Sequence, residues 1–153
     1  MKNLFVHLRV HSNFSLAEGM LSFDYLSEFC KKNNQPAIAI TDTSNMFGVL
    51  EFSIEMVANG IQPIIGIQVN ISGLTNLDNS IGEVVLIAKN EIGYKNLLVL
   101  TSKLSNNSEF DKFINFEDLK NYTKHNFTIY IFMNEVNDKK KIKLQICYEN
   151  QID

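Results

Sequence analysis

Over the first hundred residues, short apolar runs alternate with segments whose apolar positions recur at helical spacing. That is the pattern of βα units laid against a mostly parallel sheet. The runs LFVHLRV (4–10), AIAIT (37–41), PIIGIQVNI (63–71) and EVVLIAK (83–89) predict strands. Between the first two, SFDYLSEFCKKNN puts Phe23, Leu26, Phe29 and Cys30 on one helical face, with Ser22 as the cap and lysines in the last turn. In MFGVLEFSIEMVANG the spacing of Phe47, Leu50, Ile54 and Val57 predicts the buried stripe of a second helix. Asn45 would cap it, and Gly60 would supply the left-handed residue that ends it. EIGYKNLLVLTSKLS predicts a third helix, FEDLKNY a short fourth, and FTIYIFM (127–133) a fifth strand, with loops at 72–82 and 104–115. The expected order is β, α, β, α, β, β, α, α, β. From Val136 onward one alternating strand is visible and no closing element.

Composition narrows the classes. A chain of 153 residues with 45% hydrophobic and 20% charged residues can bury one sizeable core. The net charge is −3 and the lysines are scattered apart from Lys139, Lys140 and Lys141, so there is no basic face for unaided nucleic-acid binding. Cys30 and Cys147 are far apart and have no second thiol or histidine at metal spacing, which predicts buried thiols in a reducing compartment. No apolar run approaches the ~18 residues of a membrane span, and the expected location is the cytoplasm.

In parallel α/β folds the reactive residues gather at the C-terminal ends of strands. Here those ends carry Arg9 and His11, then Asp42, Thr43 and Asn45, then Gln68, with Glu83 opening the fourth strand. On a strand His7, Arg9 and His11 share one face. Of this set only His11, Asp42, Glu83 and the nearby Glu18 could ligate a divalent metal well. His11 reads either as a surviving ligand or as a histidine hydrogen-bonded at a strand end. Asp42 reads either as a ligand or as a turn cap. His125, in a polar turn, is given no role.

The blocks FVHLRVHSNFSLAEG, PAIAITDTSNMFGVLEF, GIQPIIGIQVNI and AKNEIGYKNLLVLTSK, in this order and spacing, resemble the N-terminal PHP (polymerase and histidinol phosphatase) domain of bacterial DNA polymerase III alpha subunits. The likeness covers roughly residues 4–104 and loosens up to about residue 131. It implies a distorted βα barrel of the PHP type, mostly parallel and incomplete in a chain of this length. In metal-binding members that barrel holds two or three divalent ions and hydrolyses phosphoesters, including as a 3′–5′ proofreading exonuclease.

Carried over by the resemblance, the family's His-x-His pair falls on Arg9 and His11, and the acidic ligand seven residues on falls on Glu18. The histidine of its Thr-Asp-His-Gly-Asn falls on Thr43, the glutamate of its third strand on Gln68, and the histidine opening its fourth strand on Glu83. The position after the fifth strand offers only Met133 and Asn134. A guanidinium about 4 Å from a divalent ion is repelled by about 8 kcal/mol at an effective dielectric near 20. The expectation is therefore a degenerate site with no metal and no cofactor, in which Arg9 fills the cation hole and pairs with Glu18, Asp42 or Glu83.

Three functions follow. The first is a non-catalytic PHP segment of a replicative polymerase (residues 1–131, with 132–153 an unassigned tail). It would support the rest of the alpha subunit and dock the proofreading epsilon subunit, reaching DNA only through the full polymerase. The polymerase aspartates that bind magnesium lie far downstream in the family, so this chain alone would not synthesise DNA. The second is a free-standing interaction module or decaying fragment, and the third an active phosphoesterase. A partial barrel leaves a sheet edge and apolar surface uncovered, so poor solubility or oligomerisation is expected of the isolated chain.

Overall fold

The computed structural model describes residues 5–72, 81–106, 113–115, 119, 126–136 and 139–147. They form α1 (Phe23–Lys32), β1 (Ala37–Ile40), α2 (Val49–Ala58), β2 (Gln62–Ser72), β3 (Ile81–Ala88), α3 (Glu91–Asn106), β4 (Phe113–Asn115), β5 (Asn126–Val136) and β6 (Lys139–Cys147). The chain divides into two compact units at Ile67/Gln68, within β2.

In the first unit β1 pairs in parallel with the start of β2, from Ala37 opposite Gln62 to Ile40 opposite Ile65. Ile38, Ala39 and Ile40 are all buried, as expected for a parallel strand covered on both faces. Helix α1 follows its sequence pattern. The Ser22 hydroxyl accepts from Tyr25 N at 3.3 Å, Asp24 lies in the first turn and Lys31 and Lys32 in the last, and Phe23, Leu26 and Cys30 are buried. Burial pushes the Cys30 thiol above its usual pKa.

The helix ends in a Schellman turn. Gln35 N donates to Cys30 O at 2.8 Å and Asn34 N to Lys31 O at 3.2 Å, with Asn34 at φ 53°. Helix α2 ends the same way around Gly60 at φ 70°: Ile61 N donates to Met56 O at 2.9 Å and Gly60 N to Val57 O at 3.0 Å. The left-handed role expected of Gly60 is the one it has. Phe23 stacks on Phe14 and meets Phe52 edge-on, with centroids 5.8 and 5.6 Å apart, and this aromatic group joins the two helices.

Three expectations for this unit are corrected. LFVHLRV is not a continuous strand: its described part makes one isolated parallel bridge, His7 to Ile38. Ala39 N donates to His7 O and Thr41 N to Val10 O, so three steps of this segment stand against two of the next. That extra residue is a bulge, and it breaks the ladder. Helix α2 starts at Val49 and not at Met46, with Gly48 at the cap position and no side-chain cap. Asn45 instead accepts from Phe47 N at 3.2 Å and donates to Phe14 O and Thr43 O, holding a turn ahead of the helix. The stripe is also reversed: Val49, Phe52 and Met56 are buried, while Phe47, Leu50, Ile54 and Val57 are exposed.

In the second unit β3 pairs antiparallel with β5, and β5 antiparallel with β6, from Thr128 opposite Cys147 to Val136 opposite Lys139. β4 pairs in parallel with the end of β2, Asn70 opposite Phe113. Parallel pairing thus characterises β1, β2 and β4, and β3, β5 and β6 pair antiparallel, so the fold is α/β with a parallel-leaning sheet, as expected, to which the C-terminal strands add antiparallel pairs. Val69, Ile71, Val84, Val85, Leu86, Leu97, Leu100 and Leu104 are buried in this unit. β4 falls at the end of a segment read as loop, and β6 is the alternating strand expected after Val136. The turn holding His125, most of the expected 72–82 loop and nearly all of the FEDLKNY helix lie outside the described residues. No helix among the described residues is long and apolar enough to cross a membrane.

Candidate functional site

The residues that follow the bulge are organised by one buried carboxyl group. Asp42, 2% exposed at the end of β1, accepts at Oδ1 from Ser12 N (2.7 Å) and Ser15 Oγ (2.6 Å), and at Oδ2 from Ser12 Oγ (2.8 Å). Ser12 and Ser15 are themselves buried, and their oxygens accept from Phe14 N and Thr43 N, both at 3.1 Å. Three donors on one carboxyl group, each contributing about 1.5–3 kcal/mol if it is charged, lock the 12–15 turn onto the β1 end. The chain then doubles back so closely that a Cβ on Gly19 would lie 2.0 Å from Ser12 O, inside any tolerable contact. That return places Glu18 beside the histidine it follows.

Glu18 Oε2 lies 3.2 Å from His11 Nδ1 and accepts from Thr43 Oγ1 at 2.5 Å. Arg9, His11 and Glu18 line an open cleft of about 620 Å³ together with His7, Tyr25 and Phe29. His7, Arg9 and His11 therefore do face one cleft, although the bulge lies among them. His7 is set among rings, 4.7 Å from Phe5 and 5.8 Å from Phe29 between centroids, and Tyr25 stacks on Phe29 at 6.5 Å. The cleft thus has a polar end and an aromatic end.

Of the seven site residues anticipated from sequence, five gather in the first unit: Arg9, His11 and Glu18 in the cleft, with Thr43 hydrogen-bonded to Glu18 and Asp42 beneath the turn. Gln68 and Glu83 belong to the second unit, Gln68 buried in β2 and Glu83 half-buried in β3 opposite Ile131. Asp42 gives its oxygens to the preceding turn, and among the described residues it joins no group of three metal-ligating side chains. Ser12 and Ser15, which hold it, were not singled out from sequence. Nothing in a short Ser-x-x-Ser run marks it as the partner of an aspartate about thirty positions away.

A model of the PHP domain matches residues 7–148. The chain belongs to the PHP domain family. The match continues past residue 131, where the recognisable sequence blocks gave out. The chain is similar to the DNA polymerase III subunit alpha of Rickettsia felis, 40% identical over 124 residues that make up 80% of this chain and 10% of that protein. Against the protein of the same name from Treponema pallidum it is 44% identical over 106 residues, 65% of this chain and 9% of the other. It therefore spans about a tenth of the length of these relatives.

Among solved structures it resembles an amidohydrolase from Chromobacterium violaceum with bound sulfate and no metal, with a TM-score of 0.52 at 20% identity over 65% of this chain and 33% of that one. A putative metal-dependent phosphoesterase from Bifidobacterium adolescentis gives 0.50 at 14% identity over 78% and 43%. These likenesses concern the fold alone.

Among the described residues the donors do not fit the metal cluster that PHP resemblance implies. Among the described residues no three His, Cys, Asp or Glu side chains converge on one point. The cleft contributes two imidazoles, His7 set among rings and His11 at the polar end, and one carboxylate, Glu18, beside an arginine, which has no lone pair to give.

Proposed function

We propose that this chain is the PHP segment of a DNA polymerase III alpha subunit, acting as a non-catalytic structural part. The family match and the polymerase relatives support the segment reading. The single observation that carries the non-catalytic reading is the donor set of the cleft, Arg9 beside His11 and Glu18. On this reading Arg9 supplies the positive charge that a metal provides in active PHP sites, and Asp42 works as a tether for the 12–15 turn. The rest of the alpha subunit and the epsilon subunit are its partners, DNA is reached only through the whole polymerase, and the setting is the cytoplasm.

Elemental analysis of the purified chain tests this directly. Well under one equivalent of Zn, Mn or Fe, with no hydrolysis of a phosphoester substrate, is the expected result. Stoichiometric metal that survives dialysis would overturn the non-catalytic reading. The double variant Arg9→His, Thr43→His, which adds two imidazoles beside His11 and Glu18 of the same unit, should gain metal affinity, and a folded variant that gains none would count against the assignment of these positions. Reading the source DNA beyond codon 153 for the polymerase aspartates tests the segment reading separately.

A further inference from the structure

Helix α2 is apolar on two sides. One side, Val49, Phe52 and Met56, is buried. On the other, Leu50, Ile54 and Val57 are 73%, 63% and 65% exposed, at spacings of four and three residues that align them along one face, and Phe47, in the turn ahead of the helix, is 81% exposed. A helix that is apolar nearly all round is normally covered all round. Scattered exposed apolar residues need no explanation, but a contiguous stripe marks an interaction face.

The stripe has an asymmetric border. On the α1 side run Glu51 and Glu55, and with Asp24 and Phe23 of α1 and Leu50 and Ile54 of the stripe they line a groove of about 270 Å³, enough to take the end of one large side chain. Glu55 Oε1 is held there by Ser27 Oγ at 3.0 Å. The sequence of α2, VLEFSIEMVA, contains no basic residue, and Lys31, the cation at the far end of the pair, donates to Asn59.

These borders decide between occupants. An antiparallel twofold pairing of α2 with its own copy would set Glu51 and Glu55 against themselves, and a parallel pairing would set them against the Ser53 side. In neither does the facing α2, which contains no basic residue, give the acidic edge a cation. We infer that the exposed face of α2 docks a basic amphipathic helix of another protein, whose leucine-type side chains cover Leu50, Ile54 and Val57 and whose lysines or arginines run along Glu51, Glu55 and Asp24. Helix-in-groove recognition supplies the affinity, and the charged edge sets orientation and partner choice. The inference needs only the two faces of α2 and stands whether or not the polymerase reading does.

The test uses the full chain and two synthetic helical peptides with the same leucine stripe, one carrying lysines along one edge and the other glutamates, titrated by fluorescence anisotropy. The lysine peptide should bind saturably and about tenfold or more tighter than the glutamate peptide, with the advantage shrinking as salt is raised. Glu51→Lys, at an exposed position in the first turn of α2, should invert the preference. The double variant Leu50→Ser, Ile54→Ser should lose both peptides while keeping its circular dichroism. Equal binding of the two peptides, or binding of neither, would overturn the proposal. So would a dimer by light scattering that the double variant abolishes, because a second copy would then own the face.

Discussion

Helices α1 and α2 are each ten residues long, pack on one another and end in the same hydrogen-bonded turn, yet only one could be oriented from its sequence. In α1 the apolar residues Phe23, Leu26 and Cys30 are opposed by Asp24, Glu28 and two lysines, so period alone selects the buried side. In α2 Leu50, Ile54 and Val57 compete with Val49, Phe52 and Met56, and both sets have helical spacing. Periodicity says that a helix is present. It orients the helix only when one side is polar, and otherwise the aromatic group on the neighbouring helix decides. Here Phe23 of α1 selects Phe52.

The contrast between the two sides of α2 predicts the largest effect. Phe52 is fully buried, and Phe52→Ala should cost about 3–5 kcal/mol in a urea unfolding experiment. Leu50→Ala, on the exposed side, should stay within about 0.5 kcal/mol. Comparable costs at the two positions would mean that both sides of α2 are covered, leaving no docking face.

The same contrast explains how much else was legible. Ser22 could be seen as a cap because it sits one residue ahead of a one-sided helix. Asn45 has the same chemistry ahead of an ambiguous one, and it turned out to hold a separate turn to Phe14 and Thr43. The β1 strand and the ends of β2 and β3 were readable from continuous Val and Ile runs. The first strand was not, since a one-residue bulge at His7–Val10 depends on which backbone groups of β1 are available. β4 is three residues long and leaves no pattern. At the site, Arg9, His11 and Glu18 could be placed together from spacing and resemblance, whereas the serine tether of Asp42 is a tertiary fact.

Helix ends extend the comparison at smaller magnitude. Gly60 has φ 70° and open space around a hypothetical Cβ, so Gly60→Ala meets no clash and its cost is the left-handed backbone alone, about 1–2 kcal/mol. A smaller penalty would show that the α2 end rearranges. At the other end of α1, Ser22→Ala removes the oxygen that accepts from Tyr25 N and should cost about 1 kcal/mol. Thermal unfolding of the two variants side by side measures both, and α2, whose cap position is Gly48 with no side chain to lose, has no equivalent to Ser22.

The finest distinction concerns Asn34, which holds in α1 the position Gly60 holds in α2. Asparagine enters the left-handed region more readily than other side-chain-bearing residues, because its short amide can hydrogen-bond locally. Asn34→Gly therefore relieves a modest strain while adding freedom to the unfolded chain, and the two contributions should leave stability within about 0.5 kcal/mol of the parent. Asn34→Ala has no such compensation. It should cost about 1 kcal/mol, approaching the Gly60→Ala value. Matching costs for alanine at the two positions would show that both helices are stopped by the same backbone geometry, reached from different residues. An alanine at position 34 that costs nothing would mean that the turn after α1 is set by its hydrogen bonds from Gln35 and Asn34 to Cys30 and Lys31, whatever residue occupies it.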